Sequence, residues 1–240
     1  MTSRQVPDQA QLPIALCVAT GHEARRVQRA LDAANTAHPS LIDFTVVQVG
    51  VGCCSMDSNQ LVDTHSAIVS TGFAGALDPV VVSGALLRPE YVKKTDSTQY
   101  SVDRHLQQTI ATNVRAVAIA GPLLHTDCVL ASRAQKQSAR EKTHCVACDM
   151  ESASLAAAAQ RGGKPFACLR IVLDPADTII PAPIMAVADS QTEPTAAVFL
   201  KTVLRHPSQL WATAVFLWHT FKASRALSAS VTQWVEGCRQ

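Results

Sequence analysis

Glycine is scarce in this chain, with ten residues among 240, about 4% against the roughly 7% of ordinary usage. Aromatics make up 5% and charged residues 17%. So little glycine excludes collagenous and flexible low-complexity classes. Little charge, beside 48% hydrophobic residues and a net charge of +2, excludes an intrinsically disordered chain. The basic excess that nucleic-acid binders carry is missing, so no nucleic-acid partner is expected. No run reaches the roughly 18 uninterrupted apolar residues of a spanning helix. Residues 1–13 form a polar N-terminal tail without the layout of a secretory signal. These absences point to the cytoplasm.

Eight cysteines are present. Cys17 and Cys168 sit inside apolar runs and read as small core residues. Cys145 and Cys148, with His144 beside them, have a spacing that metal or redox sites use, but no second pair completes a zinc site. Strand thiols in a reducing compartment are the favoured reading, and no metal site is expected.

What the chain does have is alternation. Ile14–Thr20 is a short apolar run ending at Gly21, and residues 22–37 place Ala24, Val27, Ala30, Leu31 and Ala34 on one helical face. Phe44–Val49 is a β-branched run closed by Gly50 and Gly52. A helical stretch around Leu61 leads to a strand at Ala67–Thr71, and strand material is expected again over Pro79–Leu87. A polar stretch, Lys93–Tyr100, precedes a helix at Leu106–Asn113 and strands at Ala116–Gly121 and His144–Cys148. The alanine run Ala153–Ala159 is a strong helix former stopped by Gly162 and Gly163, and Pro165–Leu173 is a buried strand. Strands alternating with helices predict a three-layer α/β fold, a central mixed, mostly parallel β-sheet flanked by helices. No internal linker divides it, so residues 14–240 are expected to form one domain.

The C-terminal segment 194–236 differs. Residues 194–240 hold five Lys/Arg against Glu236, a net of +4, which leaves −2 for the remainder. Leu210, Trp211, Ala214, Val215, Leu217, Trp218 and Phe221 form an apolar stripe at helical spacing, with Lys222 and Arg225 nearby. Such a helix suits peripheral contact with a membrane, here the inner membrane. It equally suits packing on the sheet or an oligomer contact.

In open α/β sheets ligands bind beyond the carboxyl ends of strands. Four such ends carry polar residues: Gly21-His22-Glu23, Thr71 to Gly75, Asp149-Met150-Glu151, and Asp174. Each carboxylate alone could be a helix cap. Gly21 before a helix, with Arg25 one turn in, could bind an anion such as phosphate. A carboxylate such as Glu23 could instead orient water.

In combination and order, Ser70 to Leu77, Asp149-Met150-Glu151-Ser152 and Pro165 to Asp177 resemble the nucleoside phosphorylase/nucleosidase superfamily, which cleaves the N-glycosidic bond of nucleosides. Leu169–Asp177, Ile180 to Pro183, Leu204–Leu210 and Arg225 to Leu227 look most like the hopanoid-associated phosphorylases. That resemblance implies phosphorolysis of adenosylhopane, with release of adenine and inorganic phosphate as co-substrate, no cofactor, and a homo-oligomer. It gives Asp174 the role of protonating purine N7 and Glu151 that of binding the ribose hydroxyls. Met150 would pack on the sugar, and Gly72 and Ala74 would let the backbone approach the base or sugar. Phe73, Asp149 and Val129 would complete the substrate pocket, with Thr71, Gly21 and Arg25 as phosphate ligands. Val129 and Leu130 stand where an aromatic often stacks on the base, so a more aliphatic pocket is expected. Two alternatives stay open: a soluble methylthioadenosine or adenosylhomocysteine nucleosidase, a hydrolase using Glu23, and a non-catalytic nucleoside-binding protein of the same fold.

Overall fold

The computed structural model describes residues 13–37, 42–188 and 205–238. The polar tail up to residue 12, and the part of the C-terminal segment between 194 and 204, lie outside the described residues. The chain runs through β1 (Ile14–Val18), α1 (Gly21–Ala37), β2 (Phe44–Gln48), α2 (Ser58–Thr64), β3 (Ala67–Ala76), β4 (Leu86–Arg88), β5 (Tyr91–Lys94) and β6 (Gln99–Ser101). It continues through α3 (Arg104–Asn113), β7 (Ala118–Ala120), β8 (Leu123–His125), α4 (Arg133–Thr143), β9 (Ala147–Asp149), α5 (Ser152–Arg161), β10 (Phe166–Val172), α6 (Ala182–Ala188) and α7 (Leu210–Gly237). The result is the expected mixed, mostly parallel sheet between helices.

Strand β3 organises the sheet. It pairs in parallel with β1 over Ala67–Ser70 on one side and with β10 over Ile68–Ala74 on the other, and Gly75 and Ala76 then pair antiparallel with β9. One half of the sheet therefore holds β2, β1, β3, β10, β4 and β7, and the other holds β9, β8, β5 and β6. Every residue of β1 and β10 is buried, as a strand covered on both faces requires. Cys17 and Cys168 are among them. Burial pushes the thiols of Cys17, Cys148 and Cys168 well above their ordinary range, so they serve as core atoms.

Helix α1 presents Val27, Ala30, Leu31 and Ala34 to the core, where they meet α7. The second half of α7 buries Ala223, Leu227, Val231, Trp234 and Val235, and the Trp234 ring packs edge-on against Phe44 at 5.2 Å. The first half behaves differently: Trp211 and Trp218 are 80% and 64% exposed, with Leu210, Leu217 and Phe221 also exposed. No helix among the described residues is long and apolar enough to cross a membrane.

Several sequence expectations are corrected. Within Pro79–Leu87 only Leu86 and Leu87 are strand. Ahead of them, the Asp78 carboxylate accepts from the Val80 N–H (3.0 Å), and Gly84 takes a φ of +88°, so the chain turns instead of extending. The polar stretch Lys93–Tyr100 hides the β5–β6 hairpin, turned by an Asp96 carboxylate that accepts from Thr98 N–H at 2.9 Å. His144 belongs to no strand; it caps α4 in a left-handed conformation, φ 59°.

Candidate active site

A cavity of about 590 Å3 opens beyond the carboxyl ends of β1, β9 and β10 and along the last turn of β3. Its polar wall is made by two buried charge clusters, and the remainder is apolar.

The first cluster surrounds Arg170, a fully buried guanidinium in the middle of β10. Its Nε donates to Ser70 Oγ (3.1 Å) and meets Asp149 Oδ2 at 2.9 Å, Nη1 donates to the Phe73 carbonyl (3.1 Å), and Nη2 donates to Ser70 Oγ (2.8 Å) and Glu151 Oε2 (3.0 Å). Burial works against this charge, but Asp149, Glu151 and Glu23 outweigh it and hold the guanidinium protonated above its ordinary range. Asp149 also caps α5, accepting from Ser152 N–H at 3.2 Å and from the Ser152 hydroxyl. The cap reading of that carboxylate is thus part of its job.

Glu151 makes no cap hydrogen bond. Its Oε1 accepts from Gly52 N–H at 3.0 Å, and its Oε2 is held by Arg170, leaving lone pairs on both oxygens for donors in the cavity. Burial pushes its carboxyl from 4.5 up to about 7, with Arg170 pulling down and Asp149 and Glu23 pushing up. Glu23 forms a capping box with Thr20: its Oε2 accepts from Thr20 N–H (2.9 Å) and Oγ1 (3.0 Å), while Glu23 N–H donates to Thr20 Oγ1 (3.2 Å). Its other oxygen accepts from Phe73 N–H at 3.1 Å, which ties α1 to β3. Gly72, at φ +136°, makes this possible: a Cβ there would lie 2.4 Å from Glu23 Oε1 and 3.0 Å from Arg170 Nη1.

The second cluster is an ion pair. Asp174, just past β10, is held by the ammonium of Lys136 from α4, and both are buried. The same ammonium donates to the carbonyls of Pro175 (2.9 Å) and Thr178 (3.0 Å). Burial raises the Asp174 carboxyl above its ordinary range, with Lys136 opposing.

Of the residues singled out from sequence, Asp174, Glu151, Met150, Phe73, Ala74, Asp149, Val129 and Glu23 all line the cavity. Gly72 does not; its missing side chain makes room for Glu23 and Arg170, not for a base or sugar. The proposed phosphate ligands are not brought together. Thr71 is buried with its hydroxyl donating to the Val69 carbonyl at 3.2 Å, Arg25 is exposed on α1, and neither they nor Gly21 line the cavity. Val129 and Leu130 line an apolar wall, joined by Leu173, Ile180, Ile184, Met185, Leu217 and the aromatic Phe216.

Sequence reading missed Arg170, Lys136, Ser70 and Gly52. Arg170 had a signal: a cation inside an otherwise apolar strand must be paired, and carboxylates stood at the neighbouring strand ends. Lys136 had none, because it lies in a polar helix of ordinary composition.

This site sits in a familiar architecture. The structure resembles a 5′-methylthioadenosine/S-adenosylhomocysteine nucleosidase from Colwellia psychrerythraea 34H in complex with adenine, at a TM-score of 0.66 and 15% identity over 95% of this chain and 96% of that one. The corresponding nucleosidase from Neisseria meningitidis, in complex with methylthio-immucillin-A, gives a TM-score of 0.66 and 14% identity over 93% and 98%. Futalosine hydrolase of Helicobacter pylori strain 26695 gives 0.62 and 15% over 89% and 99%. No curated protein matches the chain in sequence. The model of the phosphorylase superfamily matches residues 13–206. With four-fifths of its length matched and its strand-end carboxylates gathered at one cavity, the chain belongs to the phosphorylase superfamily.

Proposed function

We propose that the protein hydrolyses the N-glycosidic bond of a purine nucleoside that carries a large apolar group on its 5′ carbon. One observation carries the choice of water over phosphate: Asp149 and Glu151 pair with one guanidinium whose three nitrogens are all engaged, and a third carboxylate, Glu23, stands near it. A cluster with more carboxylates than cations repels a phosphate anion and attracts a sugar that is becoming cationic.

In this reading Asp174 gives a proton to purine N7 while the bond from the ribose anomeric carbon to N9 breaks, its electron pair leaving with the base. Glu151 accepts hydrogen bonds from the ribose hydroxyls and stabilises the oxocarbenium-like charge. Glu23 takes a proton from the water that adds to the anomeric carbon. The structural neighbours named above are nucleosidases and a hydrolase, which supports the same chemistry. Phosphorolysis, which the sequence resemblance implies, would bring phosphate to the N-terminus of α1, and Thr20 and Glu23 already cap that terminus.

The apolar wall of Leu173, Ile180, Ile184, Met185, Phe216 and Leu217 suits a 5′ substituent of lipid size, and adenosylhopane carries one. Leu217 lines the cavity and is also exposed beside Trp218 and Phe221, so the same surface could meet the membrane in which such a substrate resides.

The test is adenine release from adenosine bearing a long 5′ alkyl chain, and from methylthioadenosine, with and without inorganic phosphate. Release from the alkyl compound independent of phosphate is expected, with Asp174→Asn slower by about 10²–10⁴-fold. Strict phosphate dependence would make the protein a phosphorylase. Preference for methylthioadenosine would remove the lipid-sized substituent, and no release from any nucleoside would leave a binding protein.

A further inference from the structure

We propose that Lys136 is a positioning residue that aims Asp174 at the leaving base and stabilises the carboxylate left when its proton departs. This rests on the reading of Asp174 as the acid. Lys136 is the one buried residue of α4, and it is 1% exposed. An apolar side chain would fill that place at least as well for stability, because a buried ion pair returns little net folding energy. The lysine is therefore explained by what its charge does in the cavity it lines.

Its geometry divides the two oxygens of Asp174. Oδ2 is held by the ammonium, whereas Oδ1 is not; both oxygens stand over Gly75, where a Cβ would come within 3.3 Å of Oδ1 and 3.5 Å of Oδ2. Oδ1 is the oxygen left for a proton shared with the base. All three ammonium hydrogens are committed, to Oδ2 and to the Pro175 and Thr178 carbonyls. Those carbonyls belong to the loop that follows Asp174. The start of α4 grips the same loop twice more, through Ile180 N–H donating to the Ala131 carbonyl at 2.9 Å and Arg133 Nε donating to the Asp177 carbonyl. Lys136 thus fastens the acid from within while the helix terminus fastens its loop from outside.

The electrostatic surroundings leave this task to Lys136. Asp174 faces His219 from α7 and Cys148 from β9, with Asp149, Asp177 and Lys222 further out. Burial pushes His219 down and Cys148 up, which favours the neutral form of each. In the reaction Oδ1–H gives its proton to N7, the Asp174 carboxylate forms, and the Lys136 ammonium keeps all its protons beside it. Solvent restores the Oδ1 proton after the base leaves.

The experiment compares Lys136→Met, Lys136→Arg and Asp174→Asn in adenine release from a 5′-alkylthioadenosine across pH, with thermal unfolding as the check on folding. Lys136→Met should lower kcat by about 10²-fold with KM within about 3-fold, and should move the alkaline limb of the pH profile upward, because an acid without its cation holds its proton longer. Lys136→Arg keeps the charge and should recover most of kcat and return the limb toward the wild-type position. A wild-type profile in Lys136→Met overturns the proposal. So does an equal loss in both lysine variants with no movement of the limb, which marks a structural role only. If Asp174→Asn itself keeps full activity, it is the reading of Asp174 as the acid that fails.

Discussion

The two charge clusters of the cavity are built in opposite ways. Arg170 is embedded in the sheet, and its partners arrive from β3, β9 and the start of α5, so its charge is part of the fold. The Asp174–Lys136 pair joins α4 to the loop after β10, and its two charges answer each other with two loop carbonyls as the only further partners of the ammonium. Under the proposed mechanism buried charge is structural in one place and functional in the other, and depth alone does not distinguish them. What distinguishes them is how many backbone elements lose a partner when the charge is removed.

Substitutions that remove charge should affect the two clusters differently. Arg170→Met leaves Asp149, Glu151 and Glu23 facing one another without a cation, and should cost about 3–5 kcal/mol in denaturant unfolding, enough to threaten a native state altogether. The double change Lys136→Met with Asp174→Leu removes both charges and should stay within about 1 kcal/mol of wild type by the same measurement, while adenine release disappears. Equal losses in the two proteins would end the distinction.

Gly72→Ala tests the first cluster without touching its charges. The added methyl would meet the Glu23 carboxylate in a backbone conformation that non-glycine residues rarely adopt, so about 1–3 kcal/mol of stability and a clear fall in kcat are expected. A variant with wild-type unfolding and turnover would refute the steric account of that glycine.

Glu151 gives a smaller effect with a definite sign. Its pKa is about 7 in the folded state against 4.5 for a free carboxyl, so the fold favours the protonated form. Its contribution to stability is fully present below about pH 4.5 and is lost as pH rises through about 7. Unfolding free energy measured from pH 5 to pH 8 should fall more steeply for wild type than for Glu151→Gln; parallel curves would show that Glu151 is not the group responsible. Smallest of all is the outer face of α7. Trp211→Ser with Trp218→Ser should change stability by no more than about 0.5 kcal/mol, yet should reduce cosedimentation with anionic phospholipid vesicles. Unchanged sedimentation, or conversion of a dimer to a monomer, would assign the patch away from the membrane.

How much of this was legible in the sequence depends on the range of the interactions involved. The strands β1, β3 and β10 and the helices α1 and α5 carry their own periodicity and could be read directly. Strands of three or four residues such as β5, β6 and β8 could not, because they are held by neighbours distant in the chain. Glu151 and Asp174 were visible because they stand at strand ends in a recognisable order. Glu23 was visible only as a helix-start carboxylate, and its reach to Phe73 N–H depends on β3 passing alongside. The sequence reading left α4 unmarked although Ser132 and Gln135 form a capping box at its start, and nothing local marked Lys136 as the side chain that turns inward.

Strand β3 belongs to both halves of the sheet, and the two clusters are attached on either side of its last turn. Mechanically it acts as a common shaft. Sliding or twisting of one half-sheet against the other must pass through Gly72–Ala76, so under the proposed mechanism the spacing between Asp174 and Glu151 depends on this one strand as well as on the groups that hold each carboxylate. In that reading the stiffness of the strand limits how far the two carboxylates can drift apart.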